Sequence, residues 1–152
     1  MNELSFRQVN PDDVDLIYEW ANDKDTRAAS FNSEPIIYEN HVAWFNKKLD
    51  DVNTIFCILM DDDIPVGSVR LELLKKDDSS TEYQINYQIA PNMRNKGYGK
   101  KMISLLPKLL SKKCMLIAEV KDTNLSSAKC FRDNGYKESK CGEELRFTLD
   151  VI

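Results

Sequence analysis

The strongest constraint on this chain is Pro91-Asn92-Met93-Arg94-Asn95-Lys96-Gly97-Tyr98-Gly99-Lys100-Lys101, which stands between an alternating segment over residues 82–90 and a helical pattern reaching about residue 112. In the alternating segment Tyr83, Ile85, Tyr87 and Ile89 share one face and Glu82, Gln84, Asn86 and Gln88 the other, the period of a strand. A strand that gives way to a helix across this turn brings the first, unpaired N–H groups of the helix to the loop. Gly97 and Gly99 lack a Cβ, so the backbone can turn sharply and a ligand can approach it. Arg94, Lys96, Lys100 and Lys101 add cations where the helix dipole is already positive. The combination is a seat for a phosphorylated ligand. It is not a Walker loop, because the lysine and Ser/Thr after the second glycine are misplaced. Nor is it a dinucleotide fingerprint, because the G-x-G-x-x-G set is incomplete.

The other elements follow from caps and periods. Residues 4–9 read as a first strand. Asn10, Pro11, Asp12 and Asp13 start a helix, with a cap, a proline at the first position and acids at the positive end. Val14, Ile17, Tyr18 and Ala21 carry it to about Asn22. Residues 23–37 have no period and read as a long loop of the kind that carries function. A second helix over 39–50 has Val42, Phe45 and Leu49 as its core stripe, with His41 and Trp44 on the neighbouring face. Strands are predicted over 54–60, 64–74 and 81–90, joined by turns at Asp61-Asp62-Asp63 and over 75–80, with Gly67 as a bulge or close approach. The helix after the glycines should kink near Ile103, because Pro107 removes a donor. A buried strand over 114–120, a helix over 124–134 and closing strands over 136–140 and 145–152 complete an α+β layer fold with a mixed sheet.

Composition narrows the function. The chain has 152 residues, 42% apolar and 30% charged, which is enough for a single domain with a real core. A net charge of −4 argues against a general nucleic-acid binder. No apolar run reaches the length of a membrane span, and residues 1–5 do not open a signal peptide. Cys57, Cys114, Cys130 and Cys141 form no C-x-x-C pair and there is one histidine, so no zinc site is expected. Cys57 and Cys114 read as core residues of a cytoplasmic protein. The triple aspartate lacks EF-hand spacing and reads as a solvated turn.

Arg94-Asn95-Lys96-Gly97-Tyr98-Gly99 resembles the Arg/Gln-x-x-Gly-x-Gly/Ala signature of the GNAT superfamily of acetyl-CoA-dependent N-acetyltransferases. A second stretch, Asn124-x-x-Ser127 followed by Phe131 and Gly135-Tyr136, resembles another pattern of that family. The resemblance covers nearly the whole chain. It implies one domain over residues 1–152, with a mostly antiparallel sheet flanked by helices and its fourth and fifth strands splayed around acetyl-CoA. The pantetheine would pair with Gln88, Ile89 and Ala90. The pyrophosphate would rest on Arg94, Asn95, Lys96, Gly97, Tyr98, Gly99 and Lys100, and Asn124, Ser127 and Phe131 would contact the cofactor. Two departures bear on mechanism. Many members have a tyrosine at the place of Phe131, which protonates the leaving thiolate, and a glutamate at the place of Gln84. Glu82, two residues earlier on the same face, is then a candidate base through water, and His41 is the other, since its ordinary pKa is near neutrality. Direct transfer in a ternary complex is expected, because no cysteine is placed in the motif region.

The N-terminal half is similar to acetyltransferases of nucleotide-linked amino sugars in pseudaminic-acid and related surface-glycan pathways, through Trp20-Ala21-Asn22-Asp23, Arg27, residues 30–36 and His41-x-x-Trp44-Phe45-x-x-Lys48-Leu49. This implies a UDP-sugar amine as acceptor, with Arg27, Phe31, Asn32, His41 and Trp44 as substrate residues, and Arg27 and Lys48 meeting the diphosphate. Protein N-terminal acetylation and non-catalytic acyl-CoA binding are the alternatives. A homodimer is left open.

Overall fold

The computed structural model describes residues 3–77 and 80–152. Met1 and Asn2, and Asp78 and Ser79 of the turn expected over 75–80, lie outside the described residues. The chain begins with β1 (Leu4–Gln8), a 3-10 turn (Pro11–Asp13) and α1 (Val14–Ala21). Asn10 caps this start: its side chain accepts from Asp12 N–H, while the Asp13 carboxylate accepts from Asn10 N–H. The segment expected as a loop holds a helix, α2 (Lys24–Ala29), capped by Asp23, whose Oδ2 accepts from the N–H groups of Asp25 and Thr26. It has no buried residue, so it leaves no apolar period in the sequence.

α3 (Tyr38–Asp50), β2 (Thr54–Asp61), β3 (Ile64–Lys76) and β4 (Thr81–Ile89) follow the expected pattern. On α3 the core face differs by one residue: His41 and Phe45 are its buried residues. The β2–β3 ladder shifts register at Leu59/Met60, opposite Gly67. A Cβ on Gly67 would lie 2.6 Å from the Gln88 carbonyl oxygen, so the backbone of β4 requires glycine there. After a 3-10 turn (Pro91–Met93), α4 (Tyr98–Leu105) passes into 3-10 geometry over Leu106–Leu109. Pro107 thus ends the α-helix instead of kinking a longer one. β5 (Cys114–Lys121), α5 (Leu125–Asp133), β6 (Lys137–Cys141) and β7 (Glu144–Val151) complete the chain.

The seven strands form one sheet in the order β1-β2-β3-β4-β5-β7-β6. β4 and β5 are parallel, and the other pairs are antiparallel. This is the α+β architecture read from the sequence. One core joins the sheet to α4 and α5 through Leu71, Met102, Leu116, Phe131 and Phe147. A second core lies on the other face, where Ile17 and Trp20 of α1 and Phe45 of α3 meet Phe56 and Ile58. Cys57 and Cys114 are buried, as expected. No helix is long and apolar enough to cross a membrane among the described residues.

Candidate active site

The parallel ladder between β4 and β5 is short. Glu82 pairs with Met115, Tyr83 with Leu116 and Gln84 with Ile117, and there it ends. Over residues 85–89, β4 keeps its pairing with β3 and has no strand partner on its other side among the described residues. Backbone groups along that edge therefore face an opening, as the splay implied by resemblance requires. The opening is a cleft of about 470 Å³, within the range of small-molecule sites. Its walls are β4 from Ile85 to Ile89, β5 at Ala118, Glu119 and Val120, the start of α5, and α2 with the residues just after it.

The glycine loop lies where β4 passes into α4. Asn95 and Gly97 have positive φ, 62° and 86°. Only glycine takes the second of these without strain, and Gly97 is the residue preceding the helix. No side chain caps α4, and its first internal bond is Lys101 N–H to the Gly97 carbonyl. The N–H groups of Tyr98, Gly99 and Lys100 come before that bond and are free of an intrahelical partner. Lys96 is exposed and makes no ion pair among the described residues. These features and the open β4 edge fit the pyrophosphate and the amide-bearing arm of coenzyme A. A Cβ on Gly99 would lie 3.3 Å from Cys130 Sγ, so glycine there also lets α4 pack closely on α5.

The expected cofactor residues divide. Gln88, Ile89, Arg94, Asn124, Ser127 and Phe131 line the cleft. Ala90 is buried in the second core. Asn95, Lys96, Gly97, Tyr98, Gly99 and Lys100 lie outside the cleft walls, in the loop and the first turn of α4. The Tyr98 hydroxyl donates to Asp61, which holds the phenol above its usual range. Lys100 pairs with Asp133 at 3.7 Å. Asn124 caps α5 and accepts from Ser127 N–H. Arg94 is bound across the cleft to α2: its Nη2 donates to Asp23 Oδ2 at 2.8 Å and Thr26 Oγ1 at 2.7 Å. Burial would raise the Asp23 carboxyl, but the hydrogen bonds from Arg94 and from the Thr26 and Asp25 N–H groups outweigh it and hold the group below its usual value.

The expected substrate residues divide more sharply. Phe31 stands on the cleft wall, 55% exposed. Arg27 is spent on its own loop: Nε donates to the Ala21 carbonyl at 2.8 Å, Nη1 to the carbonyls of Asn32 and Glu34, and Nη2 to Ser30 Oγ. Asn32 takes part in the same staple, its Oδ1 accepting from Glu34 N–H. Lys48 is paired with Glu72 at 2.7 Å. Trp44 lies beneath the Arg70 guanidinium, 4.8 Å from its ring centre, and against Phe56. His41 is 3% exposed, packed among Tyr18, Trp44 and Phe45, with Nε2 2.9 Å from the Val14 carbonyl oxygen. Burial pushes its pKa down, and the Val14 carbonyl and Asp15 only partly offset this. The geometry corrects the expected catalytic role of His41: the ring is a neutral core group and is not on the cleft wall.

Glu82 shares a face with Gln84, Asn86 and Gln88, but it stands where the ladder is still closed and is absent from the cleft walls. The carboxylates that do line the cleft are Asp25, which is 3.5 Å from Arg94, and Glu119. Glu119 lies two residues past Ile117, the last β5 residue paired with β4, so its side chain points to the same face as Gln84. It makes no ion pair among the described residues, and it is exposed. Its signal in the sequence was a single acid inside an apolar strand. Tyr87, on the opposite wall, is bonded to Ser127, Tyr87 Oη to Ser127 Oγ at 2.7 Å. A cysteine does stand in the second motif: Cys130 precedes Phe131. Burial pushes its thiol up, and it is not among the residues lining the cleft. A protonated thiol is a poor nucleophile, so Cys130 is poorly placed to carry an acetyl group.

The comparisons agree with this geometry. The chain is 26% identical over 156 residues to an uncharacterized protein of Methanocaldococcus jannaschii, covering 99% of this chain and 31% of the relative. It thus spans about a third of that relative's length. A crystal structure of a domain from Methanocaldococcus jannaschii DSM 2661 superposes with a TM-score of 0.82 at 23% identity, covering 99% of this chain and 100% of that one. Spermidine N-acetyltransferase from Vibrio cholerae, solved in complex with CoA and spermine, superposes with a TM-score of 0.80 at 19% identity, covering 97% and 95%. These two share the fold. The acetyltransferase (GNAT) domain family matches residues 3–137, and on that match the chain belongs to the GNAT family of acetyltransferases.

Proposed function

We propose that this chain transfers an acetyl group from acetyl-CoA to a primary amine by direct attack in a ternary complex, and that the amine belongs to a nucleotide-linked amino sugar in surface-glycan synthesis. The observation that carries the transfer is the cleft where β4 and β5 part, with an open strand edge on one side and Glu119 on the other. Acetyl-CoA, when bound, supplies the thioester carbonyl and a thiolate leaving group. The Gly97 turn and the first N–H groups of α4 hold the pyrophosphate, and the β4 edge near Gln88 and Ile89 orients the arm. Backbone N–H groups where the ladder ends polarise the carbonyl oxygen. Glu119 attracts the ammonium and takes one proton from it, which frees the lone pair for attack, and the adduct gives its second N–H proton to water; in this role Glu119 replaces Glu82 and His41.

The sugar reading rests on the resemblance of the N-terminal half and on Phe31, whose exposed ring on the cleft wall offers a sugar an apolar face. Arg27 has no part in it, because its donors are engaged by its own loop, and Lys48 is paired with Glu72 and is not on the cleft wall. One observation favours a second reading. An acid without a cationic partner in the cleft also suits a polyamine, and the superposed Vibrio cholerae protein was solved with spermine. Free-thiol release with acetyl-CoA should be measured against UDP-4-amino sugars, free amino sugars, polyamines and peptides with free N-termini. Release with UDP-amino sugars is the expected result. Release confined to polyamines or to peptides would replace the acceptor class. Acetyl-CoA binding with no release on any amine would make the chain a binding module.

A further inference from the structure

The leaving sulfur of an acetyl thioester takes on negative charge as its bond to carbon breaks, and the site must meet that charge. Phe131 has no hydroxyl to offer. Five other hydroxyls line the cleft. Thr26 is engaged with Arg94, Ser30 donates to the Thr26 carbonyl at 2.7 Å, and Ser126 is exposed on the outer turn of α5. The remaining two are Tyr87 and Ser127, which reach each other from opposite elements, β4 and α5, at 2.7 Å. Tyr87 stands midway along the open edge of β4, between Ile85 and Ile89, with its ring edge-on to Phe131 at 5.9 Å between centres. Tyr87 and Phe131 thus line the cleft side by side, and the Tyr87 hydroxyl lies within hydrogen-bond reach of Ser127 Oγ and of the Cys130 thiol.

We propose that Tyr87, oriented by Ser127, donates a hydrogen bond to the departing sulfur and stabilises it as a thiolate without giving up its proton. In this arrangement Ser127 Oγ–H donates to Tyr87 Oη, and the Tyr87 hydrogen turns to the sulfur. The C–N bond forms, the C–S bond breaks, and the electron pair leaves on sulfur. The ammonium gives its first proton to Glu119 before attack, the adduct gives its second N–H proton to water, and the thiolate is protonated by solvent after release. Full transfer from the phenol is disfavoured, because burial raises Tyr87 far above a thiol and keeps its proton in place. The site thus supplies a fixed donor in place of an acid. Ser127 is a positioning residue, since it acts through Tyr87.

This rests on coenzyme A occupying the cleft, and the test separates the two. Free coenzyme A is bound to the protein and its thiol titrated by the ultraviolet absorbance of the thiolate, with acetyl-CoA complex as blank. In the wild-type complex the thiol pKa is expected about one unit below that of coenzyme A in solution. In Tyr87→Phe it should return to the solution value or above, and in Ser127→Ala it should lie between. The kcat for Tyr87→Phe should fall roughly ten- to a hundredfold, with acetyl-CoA affinity retained. A bound thiol in the wild type with a pKa at or above the solution value would overturn the proposal, whether or not the variants fold. Failure of the wild type to bind coenzyme A would overturn the seating as well.

Discussion

At the scale of single residues, His41 is buried in a core and Glu119 stands on the cleft wall. A lone histidine near neutrality invites a catalytic reading, yet this one is walled in by Tyr18, Trp44 and Phe45. His41→Ala should cost about 3 kcal/mol of stability, as for other large core truncations. The measurement is denaturant unfolding, and kcat for the surviving folded protein should keep its pH profile. Burial keeps His41 neutral, with a folded-state pKa below the unfolded value of about 6.5. Its contribution is therefore whole above that pH. It declines as pH falls toward the folded-state value, because the unfolded chain takes up the proton first. Glu119→Gln should instead lower kcat on the amine about a hundredfold while leaving acetyl-CoA affinity and unfolding unchanged. Equal rates in the variant would remove Glu119 from the reaction.

At the scale of elements, the start of α1 shows what a local signal can carry. Asn10, Pro11 and the two aspartates announced a helix, and the capping box is there. What they did not announce is that the Asp13 carboxylate also takes two hydrogen bonds from Arg7, both at 2.8 Å, tying β1 to α1. Those bonds hold its pKa below the usual carboxylate value. Asp13 then stabilises the fold fully above about pH 4, and the effect is lost as pH falls through the lower folded-state pKa. Asp13→Asn is expected to cost about 2 kcal/mol at neutral pH and progressively less in acid, read from thermal unfolding at several pH values. The helix α2 is the opposite case. Six residues with no buried side chain give no period, and the available sign, Asp23 as a cap, is weak alone. Gly97 is legible from both directions. Its left-handed φ needs no neighbour to explain it, and Gly97→Ala should cost about 1 kcal/mol through strain alone, since nothing lies within 4 Å of an added Cβ.

At the scale of the whole molecule, α2 acts as a strap over the opening in the sheet. Arg94, which follows β4, holds Asp23 and Thr26 near its first turn, and Lys121, the last residue of β5, donates to the Ala28 carbonyl at 3.0 Å near its end. The strap therefore joins the two strands that part to form the cleft. Lys121→Met should speed hydrogen exchange in α2 with little change in global stability. Arg94→Gln should do the same and also raise the acetyl-CoA Kd about tenfold, the loss of one charged hydrogen bond. Exchange in α2 that ignores both changes would show that the strap does not depend on its ends.

The sequence by itself determined the order and kind of most elements, because caps, glycines and apolar periods act within a few residues. It also determined the family, since the Arg94–Gly99 and Asn124–Tyr136 patterns are local stretches of chain tied to local geometry. The tertiary structure alone decided which side chains share the cleft. Register places Glu119 beyond the last β4–β5 pair and leaves Glu82 behind it. Packing spends Arg27 on carbonyls and His41 on an aromatic core. A side chain's availability depends on what the rest of the fold brings to it, and those partners lie as many as 93 residues away, as between Ala28 and Lys121.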